Sequence, residues 1–200
     1  TSFRHASLAF EGPGREGPLE VNLRLTDFSG RTLPQPGGAP AAVTEPTLFD
    51  RDGVRGVVLV SIDTLRRDYV GVYGHARPTT PRLDALARTG IVFRDAVSVS
   101  SWTLPAHLSM LTSVDPAAHG GVDGHHGFNR RVPTLAQTLR EAGFATHAIT
   151  SHLYVSPRYG LEAGFDVFDY VDGRGAGEVA DRAQAALDGF GDRPFLLFLH

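Results

Sequence analysis

Cysteine is absent from the 200 residues, and so is lysine; all 19 cationic side chains other than histidine are arginine. The first absence excludes disulfides and thiolate metal sites. The second, beside many Ala, Gly and Val, is the composition of a GC-rich bacterial gene. No apolar run reaches the length of a membrane span, and no export signal opens the chain. Because Thr1 is not an initiator Met, the native start is expected upstream, where a cleaved signal would lie. A net charge of −3 with no basic stripe argues against a nucleic-acid partner. No G-x-G-x-x-G or G-x-x-x-x-G-K-[ST] run follows a strand, which argues against a nucleotide-binding fold. An apolar fraction of 42% is ordinary for a globular chain.

Two regions differ in rhythm. Residues 19–25, Leu-Glu-Val-Asn-Leu-Arg-Leu, alternate with period two, as a half-exposed antiparallel strand does. Residues 27–30 read as a turn, and 33–46, rich in Pro, Gly and Ala, as an irregular linker. Residues 1–50 are therefore expected to be the end of an accessory β-rich module plus linker. From residue 55 strands and helices alternate. Strands are expected at 57–62, 91–97, 144–150 and 195–199. The first of these is continuously apolar, as a strand covered on both faces is. Helices are expected from Pro81, capped by Thr80 and ended by Gly90 with Leu83, Leu86 and Ala87 on one face. Further helices are expected over 104–111, from Pro133 to Gly143, and along Val179, Ala183, Ala186, Leu187 and Phe190. This implies an α/β fold, a mostly parallel sheet with helices on both faces. The chain stops at His200, at the end of a core strand that needs neighbours. Residues 51–200 are thus expected to be the N-terminal part of a larger, C-terminally truncated catalytic domain.

Two pieces carry chemistry. Val57-Val58-Leu59-Val60-Ser61-Ile62 delivers Asp63 to the C-terminal end of a strand. Ser101-Trp102-Thr103-Leu104-Pro105-Ala106-His107 places a hydroxyl at a helix start. Both places lie on the ligand-binding edge of an open α/β sheet. Asp63 is a hard oxygen donor suited to Ca²⁺, Mg²⁺ or Mn²⁺ and acceptable to Zn²⁺, and equally a turn or cap residue. Thr103 lies among unpaired N–H groups that favour an anion, and equally serves as an ordinary N-cap. Arg66 is either an anion contact or a solvated surface charge.

Around these residues, the segments SIDTLRRD (61–68), TTPRLDALARTGIVFRDAV (79–97), SWTLPAHLSMLT (101–112) and DPAAHG (115–120) resemble the sulfatase branch of the alkaline phosphatase superfamily. The resemblance spans roughly residues 55 to 200 and implies an alkaline phosphatase-like fold. It implies that Asp63 binds a divalent metal, with Thr64 standing where many sulfatases carry a second Asp. It places Thr103 at the position that sulfatases convert to formylglycine, a route closed to Thr; phosphodiesterases and phosphotransferases of the superfamily use Thr there. His107 replaces an Arg of the family pattern and would contact the substrate or support the Thr103 loop. His152 matches the His of a Lys-Trp-His segment that binds the anionic group, with the Lys missing. His119 is expected to hold a loop, His125 and His126 to lie at the surface, and Trp102 to pack beside Thr103. His200, on the ligand edge, would face the site.

The function so implied is a metal-dependent ester hydrolase or transferase with Thr103 as nucleophile. Its substrate would be a small-molecule, glycan or lipid ester, a phosphate ester or diester rather than a sulfate. A sulfuric ester hydrolase and a non-catalytic binding module are the rival readings. The family habit is to act outside the cytoplasm. A further Asp-His pair of metal ligands is implied beyond residue 200, so residues 1–200 alone are expected to bind metal weakly and turn over nothing.

Overall fold

The computed structural model describes residues 5–11, 20–26, 56–125, 127–173 and 175–200. The chain divides into two compact units, Thr1–Val54 and Arg55–His200. In the first, strand β1 (His5–Glu11) pairs antiparallel with β2 (Glu20–Thr26), in register from His5 opposite Thr26 to Glu11 opposite Glu20. The period-two stretch is thus a strand as expected. The turn at 27–30 and the linker at 33–46 lie outside the described residues.

The second unit is built on an all-parallel, four-stranded sheet in the order β3-β6-β4-β5. Its strands are β3 (Gly56–Val60), β4 (Ala145–Thr150), β5 (Val167–Tyr170) and β6 (Phe195–Leu199). Five helices accompany it among the described residues: α1 (Pro81–Ala87), α2 (Thr103–Thr112), α3 (Pro116–His119), α4 (Leu135–Glu141) and α5 (Ala176–Phe190). The parallel α/β architecture is the expected one. No helix among the described residues is long and apolar enough to cross a membrane.

The period-two geometry of a strand sends alternate side chains to opposite faces. Ala148, Leu196 and Phe198 meet Leu104, Leu108 and Leu111 of α2 and Ala136 of α4 on one face. Ile149 and Leu197 meet Val179, Ala183, Ala186 and Phe190 of α5 on the other. Helix α4 starts on a capping box. The Thr134 hydroxyl accepts from Gln137 N–H, and the Gln137 side chain accepts from Thr134 N–H. Gly164 lies against this turn at φ +94, where a Cβ would fall 2.3 Å from the Gln137 nitrogen. Only glycine takes both the positive φ and the close approach without strain.

Several expectations need correction. Residues 91–97 form no strand, and Val97 is 89% exposed. The apolar, β-branched composition is there, but no described strand offers its backbone partners, and a strand exists only in a ladder. Strand β3 is not covered on both faces: Val57 and Leu59 pack inward while Val58 and Val60 stay exposed. Thr80 makes no cap bond to α1; its hydroxyl accepts from Gly71 N–H and donates to Asp84. That helix ends at Ala87, ahead of Gly90, and leaves Leu86 exposed. The helix expected from Pro133 begins at Leu135, after its Thr134 cap.

Candidate active site

The C-terminal ends of β3, β6 and β4 lie side by side. The ladder continues one residue past β3, Ser61 N–H donating to Leu199 O at 2.8 Å. The chain then turns at Thr64, whose φ is +56. A β-branched residue in the left-handed region is strained, and such strain concentrates at functional turns. The turn is closed by Thr64 N–H donating to Asp63 Oδ1 at 3.0 Å.

Thr103 is the first residue of α2, and Trp102 is the N-cap. The expected place just before the helix is corrected by one position. Pro105 falls in the first turn, where its missing N–H costs no helical bond. The N–H groups of Thr103 and Leu104 have no carbonyl one turn back and are free to face an anion. The Thr103 hydroxyl donates to Asp63 Oδ2 at 3.0 Å. The two residues that sequence reasoning placed forty positions apart therefore meet. They open onto a cleft of about 660 Å³ whose wall includes Ile62, Leu65, Val97, Val99 and Met110.

Three imidazoles stand around this pair. His107 is 5% exposed and has both ring nitrogens engaged, Nδ1 with Thr103 O at 2.7 Å and Nε2 with Ser61 Oγ at 2.8 Å. A carbonyl only accepts, so Nδ1 carries the proton and, in the neutral ring, Nε2 accepts from the Ser61 hydroxyl. Burial holds this imidazole below the ordinary histidine pKa, against the opposing pull of the Thr103 carbonyl and Asp63. The His200 side chain is 3% exposed, with Nε2 3.8 Å from Asp63 Oδ2 and neither ring nitrogen hydrogen-bonded. Burial first, then the neighbouring His107, pushes it down to about 4. Its ring meets that of His107 edge-on at 4.7 Å. His152 is exposed after β4, 6.2 Å ring to ring from His200, and touches neither Asp63 nor Thr103.

Arg66 turns away from Asp63. Its guanidinium forms a two-pronged pair with Asp68 and lies over the Tyr69 ring at 5.1 Å. Trp102 packs edge-on against Tyr154 at 5.2 Å. His119 is fully buried; its Nδ1 accepts from Gly121 N–H, its Nε2 meets Ser109 Oγ, and its carbonyl accepts from Asn129 N–H. It ties the loop after α3 to α2. His125 is exposed, and His126 lies outside the described residues. Ser61 went unread in the sequence, and Thr64 was read as a turn residue but not as a strained one. The i, i+2 spacing of Ser61 and Asp63 just past a strand, opposite the i, i+4 spacing of Thr103 and His107 on a helix, was the available signal.

The chain matches the sulfatase family profile over residues 55–200. It belongs to the sulfatase family. Among curated relatives, an arylsulfatase of Clostridium perfringens is 30% identical over 118 residues, 58% of this chain and 24% of that protein. Human N-sulphoglucosamine sulphohydrolase is 32% identical over 142 residues, 64% of this chain and 28% of that protein. The phosphoethanolamine transferase CptA of Salmonella typhimurium is 29% identical over 110 residues, 54% of this chain and 18% of that protein. This chain thus spans about a quarter of the length of such relatives. Two solved structures share the fold. One, a complex with its substrate D-glucosamine-2-N,6-O-disulfate, has a TM-score of 0.64 at 20% identity, over 73% of this chain and 34% of that one. The other, the zinc complex of the C-terminal periplasmic domain of EcEptC from Escherichia coli, has a TM-score of 0.57 at 22% identity, over 76% and 45%.

Enzymes of this family use divalent metals. Asp63 fits such an ion as one hard oxygen ligand. Among the described residues, no group of three or more His, Cys, Asp or Glu side chains converges to hold one. This stretch therefore brings a carboxylate and a hydroxyl to the site but not a whole ligand shell.

Proposed function

We propose that the protein is a metal-dependent ester hydrolase or transferase in which Thr103 is the nucleophile and the substrate is a phosphate ester, best a monoanionic diester. Residues 51–200 form the N-terminal part of its catalytic domain, and residues 1–50 belong to an accessory module. The observation that carries the reading is the 3.0 Å bond from the Thr103 hydroxyl to Asp63 Oδ2. A serine or threonine hydroxyl is a weak nucleophile until a neighbouring base or metal draws off its proton. A divalent ion held in part by Asp63, whether Ca²⁺, Mg²⁺, Mn²⁺ or Zn²⁺, supplies that acidity when bound. The Thr103 oxygen loses its proton, bonds to phosphorus and expels the leaving alcohol, which takes up a proton from solvent. Water or a second alcohol then cleaves the phospho-threonine ester and returns the proton to Thr103. The N–H groups of the first turn of α2, beside Thr103, would stabilise the charge that develops on the transferring group.

The preference for a single negative charge rests on the cleft wall, where the described residues include no arginine. His152, which lies 6.2 Å ring to ring from His200, is assigned to the substrate's anionic group on the family resemblance alone, and Arg66, bound to Asp68, serves at most a distal part of a substrate. Sulfate ester is the second reading, favoured by the named sulfatases among the relatives. Action outside the cytoplasm accords with the periplasmic domain among the fold neighbours.

The test uses the intact protein, stripped of metal and given each ion in turn, with matched aryl sulfate, phosphate monoester and phosphate diester. Phosphate-ester cleavage lost in Thr103→Ala and kept in part by Thr103→Ser is the expected outcome. Sulfate cleavage alone would transfer the assignment to the second reading. A folded, metal-loaded protein inert on all three would speak for a binding module.

A further inference from the structure

The site is held by more than the Thr103–Asp63 contact. Ser61 follows β3 directly with its N–H still in the ladder, and Asp63 stands two residues on, in the turn that the chain makes there. Thr103 and His107 are one turn apart on α2, on the same face of the helix. Thr103 meets Asp63 at 3.0 Å, and His107 Nε2 meets Ser61 Oγ at 2.8 Å. The strand end and the helix start are therefore cross-linked twice, side by side. A third bond, His107 Nδ1–H to Thr103 O at 2.7 Å, closes the ring of contacts. Thr103 is gripped at its hydroxyl from Asp63 and at its carbonyl from His107.

We propose that Ser61 is a positioning residue for the Thr103 nucleophile, acting through the His107 imidazole. This rests on the nucleophile reading above. Ser61 is a fixed anchor, because its own N–H is in the sheet ladder to Leu199. The imidazole it holds is 5% exposed, with the His200 ring packed edge-on against it. With both nitrogens committed inside the protein, His107 has no N–H left for an ester oxygen. Its place, where many sulfatases have Arg, is filled by a strut rather than by an anion contact. The strut demands one tautomer: proton on Nδ1, lone pair on Nε2. Burial, which favours the neutral ring, supports that assignment.

A misoriented nucleophile slows the reaction while leaving substrate binding nearly intact. Ser61→Ala is therefore expected to lower kcat about 10- to 100-fold, in the range seen for groups that orient a reacting side chain, with KM changed less than about 3-fold. Ser61→Thr keeps the hydroxyl and is expected to restore most of kcat. The measurement runs on the intact protein, with the aryl ester that the wild type cleaves fastest, beside Thr103→Ala. In parallel, ¹⁵N NMR reads the tautomer of His107 in the wild type, with no variant needed. Protonated Nδ1, with an Nε2 shift that moves in Ser61→Ala and returns in Ser61→Thr, is the supporting result. Protonated Nε2 in the wild type overturns the proposal even if Ser61→Ala does not fold. So does an unchanged kcat in a folded Ser61→Ala. Turnover that needs Thr103 but ignores Ser61 removes this inference alone; turnover that ignores Thr103, or none at all, removes both.

Discussion

Helices α2 and α5 cover opposite faces of one sheet, both by apolar burial, and α2 adds side-chain hydrogen bonds to the end of β3 and to the loop after α3. Helix α5 is amphipathic: Val179, Ala183, Ala186 and Phe190 bury one stripe against Ile149 and Leu197, and its exposed side carries the Glu178–Arg182 pair. Phe190 stacks flat on Phe195 at 4.4 Å. Helix α2 is buried through most of its length, and polar bonds fix its position. Its first turn is tied to β3 through Thr103 and His107, and its middle to the loop after α3 through Ser109 and His119. Apolar burial is non-directional, so the packing of α5 sets no single orientation for a reacting side chain. Hydrogen bonds are directional, so those of α2 define the orientation of its first turn more narrowly than packing alone. The scaffold helix relies on the first kind of attachment, and the nucleophile's helix adds the second to it.

That contrast can be broken from both sides. The largest effect is expected at Thr103. Thr103→Ala should lower turnover by roughly 10³-fold or more, as removal of a covalent nucleophile does. It should cost only about 1 kcal/mol of stability, one partly exposed hydrogen bond. Phe190→Ala is the converse. It empties part of the α5 face and should cost about 3–5 kcal/mol by urea denaturation. Below its unfolding transition, kcat should stay within about 2-fold of wild type, since packing and site lie on opposite faces of the sheet. A large kcat loss in a folded Phe190→Ala would show that the two faces are coupled. Smaller is Gly164→Ala, which puts a Cβ into the first turn of α4 at positive φ. About 1–3 kcal/mol should be lost there, with no change in the His107 tautomer.

The smallest expected effect is on pH, and it separates the two helices again. Three buried histidines, His107, His119 and His200, are held below the ordinary value by burial, and all three contact α2 or one another. In the unfolded chain they take up protons near pH 6.5. In the folded protein they resist, His200 down to about 4. The unfolded state thus binds more protons in this window, and stability falls as pH drops from about 6.5 toward 4. Urea midpoints at about pH 7.5 and about pH 5 should show the loss, and replacing His119 should shrink it. Hydrogen exchange should open α2 before α5 at the lower pH.

The same division explains what was legible in the sequence. Helix α5 was legible because its apolar spacing is local and periodic. Strand β6 was legible as a short apolar run after Pro194. Asp63 and Thr103 were legible by their places at a strand end and a helix start. The segment 91–97 misled because its composition is that of a strand, whereas strand formation depends on a neighbour that composition cannot supply. β5, four residues long with Asp169 inside it, carries too little pattern to stand out. Ser61 was hidden because its partner lies 46 positions away and a lone serine at a strand end has many uses. Arg66 drew notice by its nearness in sequence to Asp63, yet Asp68, two residues on, claims its guanidinium.

The central claim is that the Thr103 oxygen forms the covalent bond to the transferred group. The direct measurement is mass spectrometry of the intact metal-loaded protein, acid-quenched during turnover of an aryl phosphate ester and digested. A phosphoryl group is expected on the peptide containing Thr103, formed at a rate that matches turnover and absent in Thr103→Ala. Sustained turnover with Thr103 unmodified, or a phosphoryl group on another residue, would contradict it.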